Sequence, residues 1–184
     1  GMINTRFYSK NEIRDIEVRN AWTKYVDGDL LSEKEFLERI SRRSRDTART
    51  PMCWSDSKNA GFTDGTPWIK INDKYKQINV AEQSSRPDSV LNYYKSLFAL
   101  RAKLPVVVDG AFKLIDEQNA HVIAYERKNV EQTIAVVCNM TDKRLSFTDE
   151  RLQRGKILLT NVENNYLVDG ILAPYQSIVI DLES

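Results

Sequence analysis

Residues 44–54 read Ser-Arg-Asp-Thr-Ala-Arg-Thr-Pro-Met-Cys-Trp, and Asn-Ala-Gly-Phe follows at residues 59–62. The two runs combine charged groups, a proline, a glycine and aromatic rings without the spacing of a helix or a strand. Charged side chains are costly to bury unless they are paired, so such a run is poor material for a core. The pattern therefore predicts a loop with a defined conformation outside the core.

The composition around this loop is that of an ordinary soluble globular protein. The 184 residues are 41% hydrophobic and 29% charged, and the net charge of +1 predicts neither a nucleic-acid nor a membrane partner. The N-terminus lacks a signal-peptide pattern, and no apolar run reaches the ~18–20 residues of a membrane span. Cys53 and Cys138 are expected to be reduced thiols, with a disulfide as the alternative. His121 is the single histidine, so no multi-histidine metal site is expected. No cofactor is expected, and the predicted location is the cytoplasm.

Three stretches have the spacing of amphipathic helices. The first follows Ser9 and Glu12, which form a capping pair, and the second begins near Ser32 with Glu35 three residues later. Both have a narrow apolar stripe and a broad charged face, which is typical of a peripheral cover. The third and clearest helix is predicted over residues 88–103, and a following proline ends it.

Residues 44–87 show no clear period between the second and third helices. Irregular segments of this length are uncommon in compact domains and are usually functional or disordered. The aromatic residues Trp54, Phe62 and Trp68 favour an ordered segment.

From residue 106 onward, short apolar segments alternate with turn residues. Regular short strands with tight turns predict an antiparallel β-sandwich, here a small one that packs on the preceding helix. The predicted strands are residues 106–108, 111–115, 121–126, 133–138, 145–147, 157–159, 166–168 and 177–182, with turns at 109–110, 127–129, 141–143, 164–165 and 169–170.

Arg45, Asp46 and Arg49 are the candidate functional residues of the opening loop. The arginines flank a carboxylate, and a guanidinium can donate two hydrogen bonds to adjacent sugar hydroxyls or to a carboxylate. Trp54 and Trp68 can supply flat apolar faces for a sugar ring. The alternative interpretation is an arginine–aspartate clamp that holds the shape of the loop.

The histidine and the two cysteines are expected to have structural positions and no catalytic role. His121 begins a predicted strand and is expected to be a half-exposed strand residue instead of a general base. Cys138 is expected to be an inert core thiol, and no chemical role is assigned to Cys53.

The opening loop also resembles a known family. Residues 44–54, 59–62 and 66–69 are similar to the α-glucosidases of the α-amylase superfamily, a group that includes oligo-1,6-glucosidases, dextran glucosidases and trehalose-6-phosphate hydrolases. Arg-Asp-Ile-Glu at residues 14–17 resembles the family's sequence after the eighth barrel strand. Further similarity lies at residues 1–4, 78–80, 89–90, 93–94, 100–101 and 172–175.

The resemblance implies an α+β chain that is part of a larger enzyme. The family has a (β/α)8 barrel followed by a small antiparallel domain, and a full barrel takes ~250 residues, more than this chain has. Residues 1–104 are expected to be helices and long loops from the end of the barrel, including its last helix. Residues 105–184 are expected to be the C-terminal antiparallel β-sandwich domain.

The resemblance further implies a sugar-binding role for the loop. Glycosidases of this kind need two carboxyl groups, and the family carries them on barrel strands upstream of this segment, so no catalytic residue is expected here. In the family an arginine of the Arg-Asp-x-Ala-Arg-Thr run binds the glucosyl unit beside the cleaved bond. The resemblance assigns this role to Arg49, with Arg45 second and Asp46 beside them. Cys53 replaces the family's usual glutamine and leaves the substrate preference open.

Three functions follow as hypotheses. The first is the C-terminal part of an α-glucosidase that hydrolyses short oligosaccharides and is inactive alone. The second is a stand-alone module that binds carbohydrate or a partner chain. The third, a subunit like the inactive relatives that assemble with membrane transporters, ranks last. The apolar stripe of the third helix also predicts that the chain binds a missing barrel domain or self-associates.

Overall fold

Helices and loops form the first part of the chain, and antiparallel sheets form the second. The computed structural model describes residues 2–162 and 170–182, and its contacts divide the chain into two units, Gly1–Leu91 and Asn92–Ser184. This is a mixed helix and antiparallel-sheet architecture, as the α+β class predicts. The helices are α1 (Ile16–Tyr25), α2 (Glu33–Arg43), α3 (Val80–Ser85), α4 (Val90–Lys103), α5 (Val106–Asp109) and α6 (Glu150–Arg154); the strands are β1 (Ala111–Leu114), β2 (Val122–Lys128), β3 (Thr133–Asn139), β4 (Leu145–Ser146), β5 (Lys156–Thr160), β6 (Ile171–Leu172) and β7 (Ser177–Asp181).

The first helix begins later than the sequence predicts. Ser9 makes no side-chain cap bond, and the Glu12 carboxylate accepts a hydrogen bond from the backbone N–H of Tyr8 at 2.7 Å. These residues therefore close a 3-10 turn instead of starting a helix. The N-cap of α1 is Asp15, whose carboxylate accepts from the N–H of Glu17 at 3.0 Å.

The second helix begins as predicted. Ser32 and Glu35 form a complete capping box, with each side chain bonded to the backbone of the other residue. The apolar stripe of α2 then packs on α1, where the rings of Trp22 and Phe36 meet edge to face at 5.4 Å. The core of the first unit consists of Phe7, Ile13, Trp22, Phe36, Leu37 and Ile40.

The segment from residue 44 to residue 87 is ordered and contains more regular structure than its sequence pattern indicates. It holds two 3-10 turns, Arg45–Ala48 and Lys58–Gly61, and the short helix α3. Asn79 caps α3 by accepting a hydrogen bond from the N–H of Glu82 at 2.9 Å. The sequence shows no hydrophobic period over α3, because the helix has no buried residue, and so it could not be predicted from the pattern.

The second unit is built on a five-stranded antiparallel sheet with the order β1-β2-β3-β7-β5, beside a two-stranded sheet of β4 and β6. Apolar residues cover both faces of β3. Ala135 and Val137 belong to one buried cluster, whereas Ile134 belongs to another. Burial on both faces explains why residues 134–138 read as a continuous apolar run.

The predicted strand at residues 106–108 is wrong, because the structure places α5 there. Pro105 precedes the helix with helical dihedral angles, φ −53° and ψ −35°, and its fixed φ favours a helical start. Val106 is fully buried and packs with Ile134 and Val179. Three consecutive valines favour a strand by propensity, but tertiary packing decides this segment.

Helix α6 forms where no helical pattern is apparent in the sequence. Asp149 caps this helix by accepting from the N–H of Arg151 at 2.9 Å, and Leu152 is buried in the core of the second unit. The predicted strand at residues 166–168 and turn at 164–165 lie outside the described residues.

Helix α4 runs as predicted and leaves large apolar side chains exposed. Val90, Tyr94 and Phe98, spaced four residues apart, are 67%, 52% and 64% exposed. Leu100 and Leu104 instead pack against the cluster around Ile134. Among the helices in the described part of the chain, none has the length and hydropathy to cross a membrane.

Candidate functional site

Asp46 is the centre of the candidate loop. It lies in the 3-10 turn that follows α2, and it is fully buried. Its Oδ2 atom accepts hydrogen bonds from the backbone N–H groups of Arg14 at 2.7 Å and Asp15 at 2.9 Å. Its Oδ1 atom accepts from Nη2 of Arg49 at 2.6 Å. Asp46 therefore ties the loop to the segment that precedes α1.

Arg49 is held on two sides. Besides its bond to Asp46, its guanidinium lies 5.4 Å from the centre of the Trp68 ring, at cation–π distance. The Arg49 side chain remains 41% exposed. Its Nε and Nη1 groups have no hydrogen-bond partner among the described residues, so they can donate to a ligand.

Arg45 pairs with Asp15 instead of Asp46. Its Nε and Nη2 atoms donate to the two carboxylate oxygens of Asp15 at 3.0 and 2.8 Å. The side-chain hydrogen bond from Arg45 is the largest cause that lowers the pKa of Asp15 to about 2, against the opposing effect of burial. This fork occupies two of the three guanidinium nitrogens of Arg45 and fixes the group on Asp15.

The substitution Arg45→Met is expected to raise the pKa of Asp15 from about 2 towards its usual value, because it removes the largest lowering cause. Because the folded pKa is depressed, the pair stabilises the fold above pH 3.8, and this stabilisation is lost as the pH falls through about 2. The difference in urea midpoint between the two proteins is therefore expected to be largest near neutral pH and to vanish only below about pH 2. An NMR titration of the Asp15 carboxyl carbon measures the shift, with the exposed Arg19→Met as control. An Asp15 pKa that stays near 2 would contradict this assignment.

Asn59, Ala60 and Gly61 form a left-handed turn next to the aromatic residues. Their φ angles are +52°, +57° and +67°. The side-chain amide of Asn59 donates to the carbonyls of Thr63 at 2.9 Å and Gly65 at 2.8 Å. The carbonyl of Ala60 accepts from the N–H of Trp54 at 2.8 Å and so fixes that residue, whose side chain is 50% exposed.

Replacing Asn59 with alanine is expected to lower the free energy of unfolding by about 2 kcal/mol. The change removes two side-chain hydrogen bonds and places a less tolerant residue at φ +52°. Urea unfolding followed by tryptophan fluorescence measures it, because all three tryptophans lie between residues 22 and 68. The exposed Asn20→Ala on α1 is the matched control, and equal stability of the two variants would refute the prediction.

The two cysteines and the histidine do not belong to the network around Asp46. Cys53 and Cys138 are free thiols, and burial raises the pKa of Cys53, which is 1% exposed. Cys138 is only half-buried in β3, which differs from the core position that its apolar strand predicts, and its inertness stays a prediction. His121 is exposed and lies one residue before β2. Within residues 2–162 and 170–182, no three His, Cys, Asp or Glu side chains are grouped to hold a metal ion.

The structure thus pairs Asp46 with Arg49, as the sequence suggests. Arg45 pairs with Asp15 instead of Asp46. Sequence reasoning missed Asp15 as a member of this network. The N-cap preference for aspartate marks Asp15 as the start of α1, but it gives no sign of the pairing with Arg45.

Comparison with known proteins gives consistent matches. The alpha-amylase catalytic-domain family model matches residues 3–110. The oligo-1,6-glucosidase of Heyndrickxia coagulans is 39% identical over 100% of this chain and 33% of its own length. The trehalose-6-phosphate hydrolase of Bacillus licheniformis, solved as a variant, has a TM-score of 0.88 at 32% identity and covers 100% of this chain and 34% of its own. The isomaltulose synthase of Klebsiella sp. LX3 has a TM-score of 0.85 at 34% identity, with coverages of 99% and 34%.

The chain spans about a third of the length of these relatives. The match to the catalytic-domain model covers more than half of the chain. The chain therefore belongs to the alpha-amylase family, which confirms the resemblance drawn from its sequence.

Proposed function

We propose that this chain is the C-terminal part of an α-glucosidase that hydrolyses α-glucosidic bonds of short oligosaccharides. Residues 1–104 then form the end of the (β/α)8 barrel, and residues 105–184 form a C-terminal β-sandwich domain. The similarity to an oligo-1,6-glucosidase along the whole chain supports this proposal. A cytoplasmic location belongs to the same proposal, since two free thiols suit a reducing compartment.

The arrangement of Arg49 is the observation that carries the proposal. Asp46 and Trp68 hold its guanidinium, while two of its nitrogen groups have no described protein partner. A planar guanidinium fixed in this way suits the adjacent hydroxyls of a glucosyl unit. Arg49 therefore binds sugar in the proposal, Asp46 orients Arg49, and Arg45 stabilises the loop through Asp15.

The catalytic carboxyl groups come from outside this chain in the proposal, so the chain alone is expected to leave p-nitrophenyl-α-glucoside intact. Hydrolysis by the purified chain would overturn this part. Saturable binding of isomaltose by the chain alone would instead support the alternative, a stand-alone carbohydrate-binding module.

A chimera tests the role of Arg49. Joining this chain to the part of the H. coagulans relative that it does not match is expected to give an active glucosidase. In that chimera, Arg49→Ala is expected to lower kcat/KM by about 10- to 100-fold, since it removes charge-assisted hydrogen bonds. Arg19→Ala, on the exposed face of α1, is the control. Equal kcat/KM for both variants would overturn the assignment.

The exposed side of α4 supports a further part of the proposal, namely that it packs against the rest of the barrel. Val90, Tyr94 and Phe98 form an apolar stripe of the kind that marks an interface. The chain alone is then expected to self-associate, and Phe98→Lys is expected to shift it towards monomer in sedimentation velocity. A wild-type chain that stays monomeric with Phe98 exposed to solvent would contradict this expectation.

A further inference from the structure

The second unit contains a cavity of about 560 Å³ beside α4 and one face of the five-stranded sheet. Its volume lies within the range of small-molecule sites in proteins, roughly 300–1,000 Å³. Arg101 and Phe112 line it and are exposed, so the cavity can be reached from solvent. Its aliphatic lining consists of Leu97, Leu100, Val107, Ile134, Val136, Ile178 and Val179.

The polar groups of this lining are mainly donors. Arg127 donates from Nη2 to the carbonyl of Val108 at 3.0 Å, and its Nε atom is buried with no hydrogen-bond partner. The hydroxyls of Tyr93 and Tyr125 have no partner in the described part of the chain, and burial raises the pKa of both phenols, so they keep their protons. The lining includes two arginines, Arg101 and Arg127, and no aspartate or glutamate.

We propose that this cavity binds an amphipathic carboxylate, with its apolar body against Leu97 and Val136 and its charged group at Arg127. The lining offers two guanidinium groups and no carboxylate, so the anionic group of a ligand would form charge-assisted hydrogen bonds there. An oligosaccharide fits poorly, because aliphatic walls offer few partners for its many hydroxyls. The inference goes beyond the proposed glucosidase function, since the cavity and the sugar-binding loop use different residues.

Cys138 provides a reporter inside the cavity. It lines the cavity as a half-buried free thiol, whereas Cys53 is 1% exposed. The full chain is alkylated with iodoacetamide in the presence of 4-phenylbutyrate or of 4-phenylbutan-1-ol, its neutral counterpart. Mass spectrometry then measures the rate at which Cys138 is alkylated. At four times its Kd, the acid is expected to slow alkylation of Cys138 about fivefold. The alcohol is expected to give much weaker protection at the same concentration.

Two variants at neighbouring positions of β2 show whether affinity depends on the charge that lines the cavity or only on the net charge of the protein. Arg127→Met is expected to weaken binding of 4-phenylbutyrate at least about tenfold. Lys128→Met removes the same charge from an exposed residue outside the lining, and it is expected to leave the affinity unchanged.

Several results would overturn the proposal. They are an absence of protection by the acid, equal protection by acid and alcohol, and equal affinities of the two variants. If Arg127→Met does not fold, the comparison of acid with alcohol on the wild-type chain decides the question. Protection that follows protein concentration instead of acid concentration would overturn the proposal in favour of a second copy of the chain on this face.

Discussion

Asp46→Ala is expected to lower the free energy of unfolding of the first unit by about 3–4 kcal/mol. The Asp46 carboxylate is fully buried and accepts the N–H groups of Arg14 and Asp15 and the guanidinium of Arg49. Alanine would leave two backbone donors without their acceptor and would release Arg49 from one of its two supports. Each hydrogen bond to a charged group contributes about 1.5–3 kcal/mol, and local relaxation recovers part of the loss.

Urea unfolding followed by tryptophan fluorescence measures this change in the first unit, where all three tryptophans lie. Asp64→Ala is the control, because Asp64 is an exposed carboxylate of the same region. Asp46→Asn keeps one oxygen acceptor and is expected to fall between the wild type and the alanine variant. An Asp46→Ala protein within about 1 kcal/mol of the wild type would mean that this carboxylate does not organise the loop.

Ile180→Ala is expected to destabilise the second unit by about 3–4 kcal/mol. Ile180 is fully buried in β7, where it is paired with Ala135 of β3 and Ile157 of β5. Truncating a buried isoleucine removes apolar contacts and leaves a cavity that close neighbours fill only in part. Gly155 allows Ile180 to approach closely, since a Cβ atom at residue 155 would lie 2.4 Å from Ile180 Cγ2.

Far-UV circular dichroism during urea unfolding follows the loss of the sheet. Ile123→Ala is a matched control, because this isoleucine lies on β2 and is 48% exposed. The control is expected to cost less than about 1 kcal/mol. Equal effects of the two substitutions would show that the described core does not hold the sheet together.

Local signals explain which helices could be predicted. The capping box of Ser32 and Glu35 and the apolar period of α4 both lie within a few residues, and both helices form where these signals occur. The pair of Ser9 and Glu12 has the same pattern, but the chain uses Asp15 as the cap of α1. The same capping pattern can therefore close a 3-10 turn instead of starting a helix, and the sequence pattern alone does not separate the two outcomes.

Tertiary contacts explain the errors in the second half of the chain. Residues 106–108 have strand propensity, yet Pro105 starts a helical turn whose first valine is buried against the sheet. Pro105 permits a helical start, but the burial of Val106 depends on Ile134 and Val179, which lie more than twenty positions along the chain. Such a contact is invisible to a local pattern.

In the candidate site, too, local contacts could be predicted from the sequence and long-range contacts could not. Asp46 and Arg49 lie three residues apart, and their pairing could be foreseen from the loop itself. The partner of Arg45 is Asp15, 30 residues earlier in the chain, and no local rule connects the two. Sugar binding by Arg49, Arg45 and Asp46 stays a prediction.

The strand order has a consequence for how this chain acquires its fold during synthesis. β7 follows the other described strands in the chain, yet it lies between β3 and β5 in the sheet. While the ribosome still holds residues 177–181, β5 has no described neighbour, and the pairing edge of β3 is open. The long-range pairing that closes the sheet is slow, and an open edge can pair with other chains. Nascent chains stalled before residue 177 are therefore expected to aggregate more readily than the completed sheet.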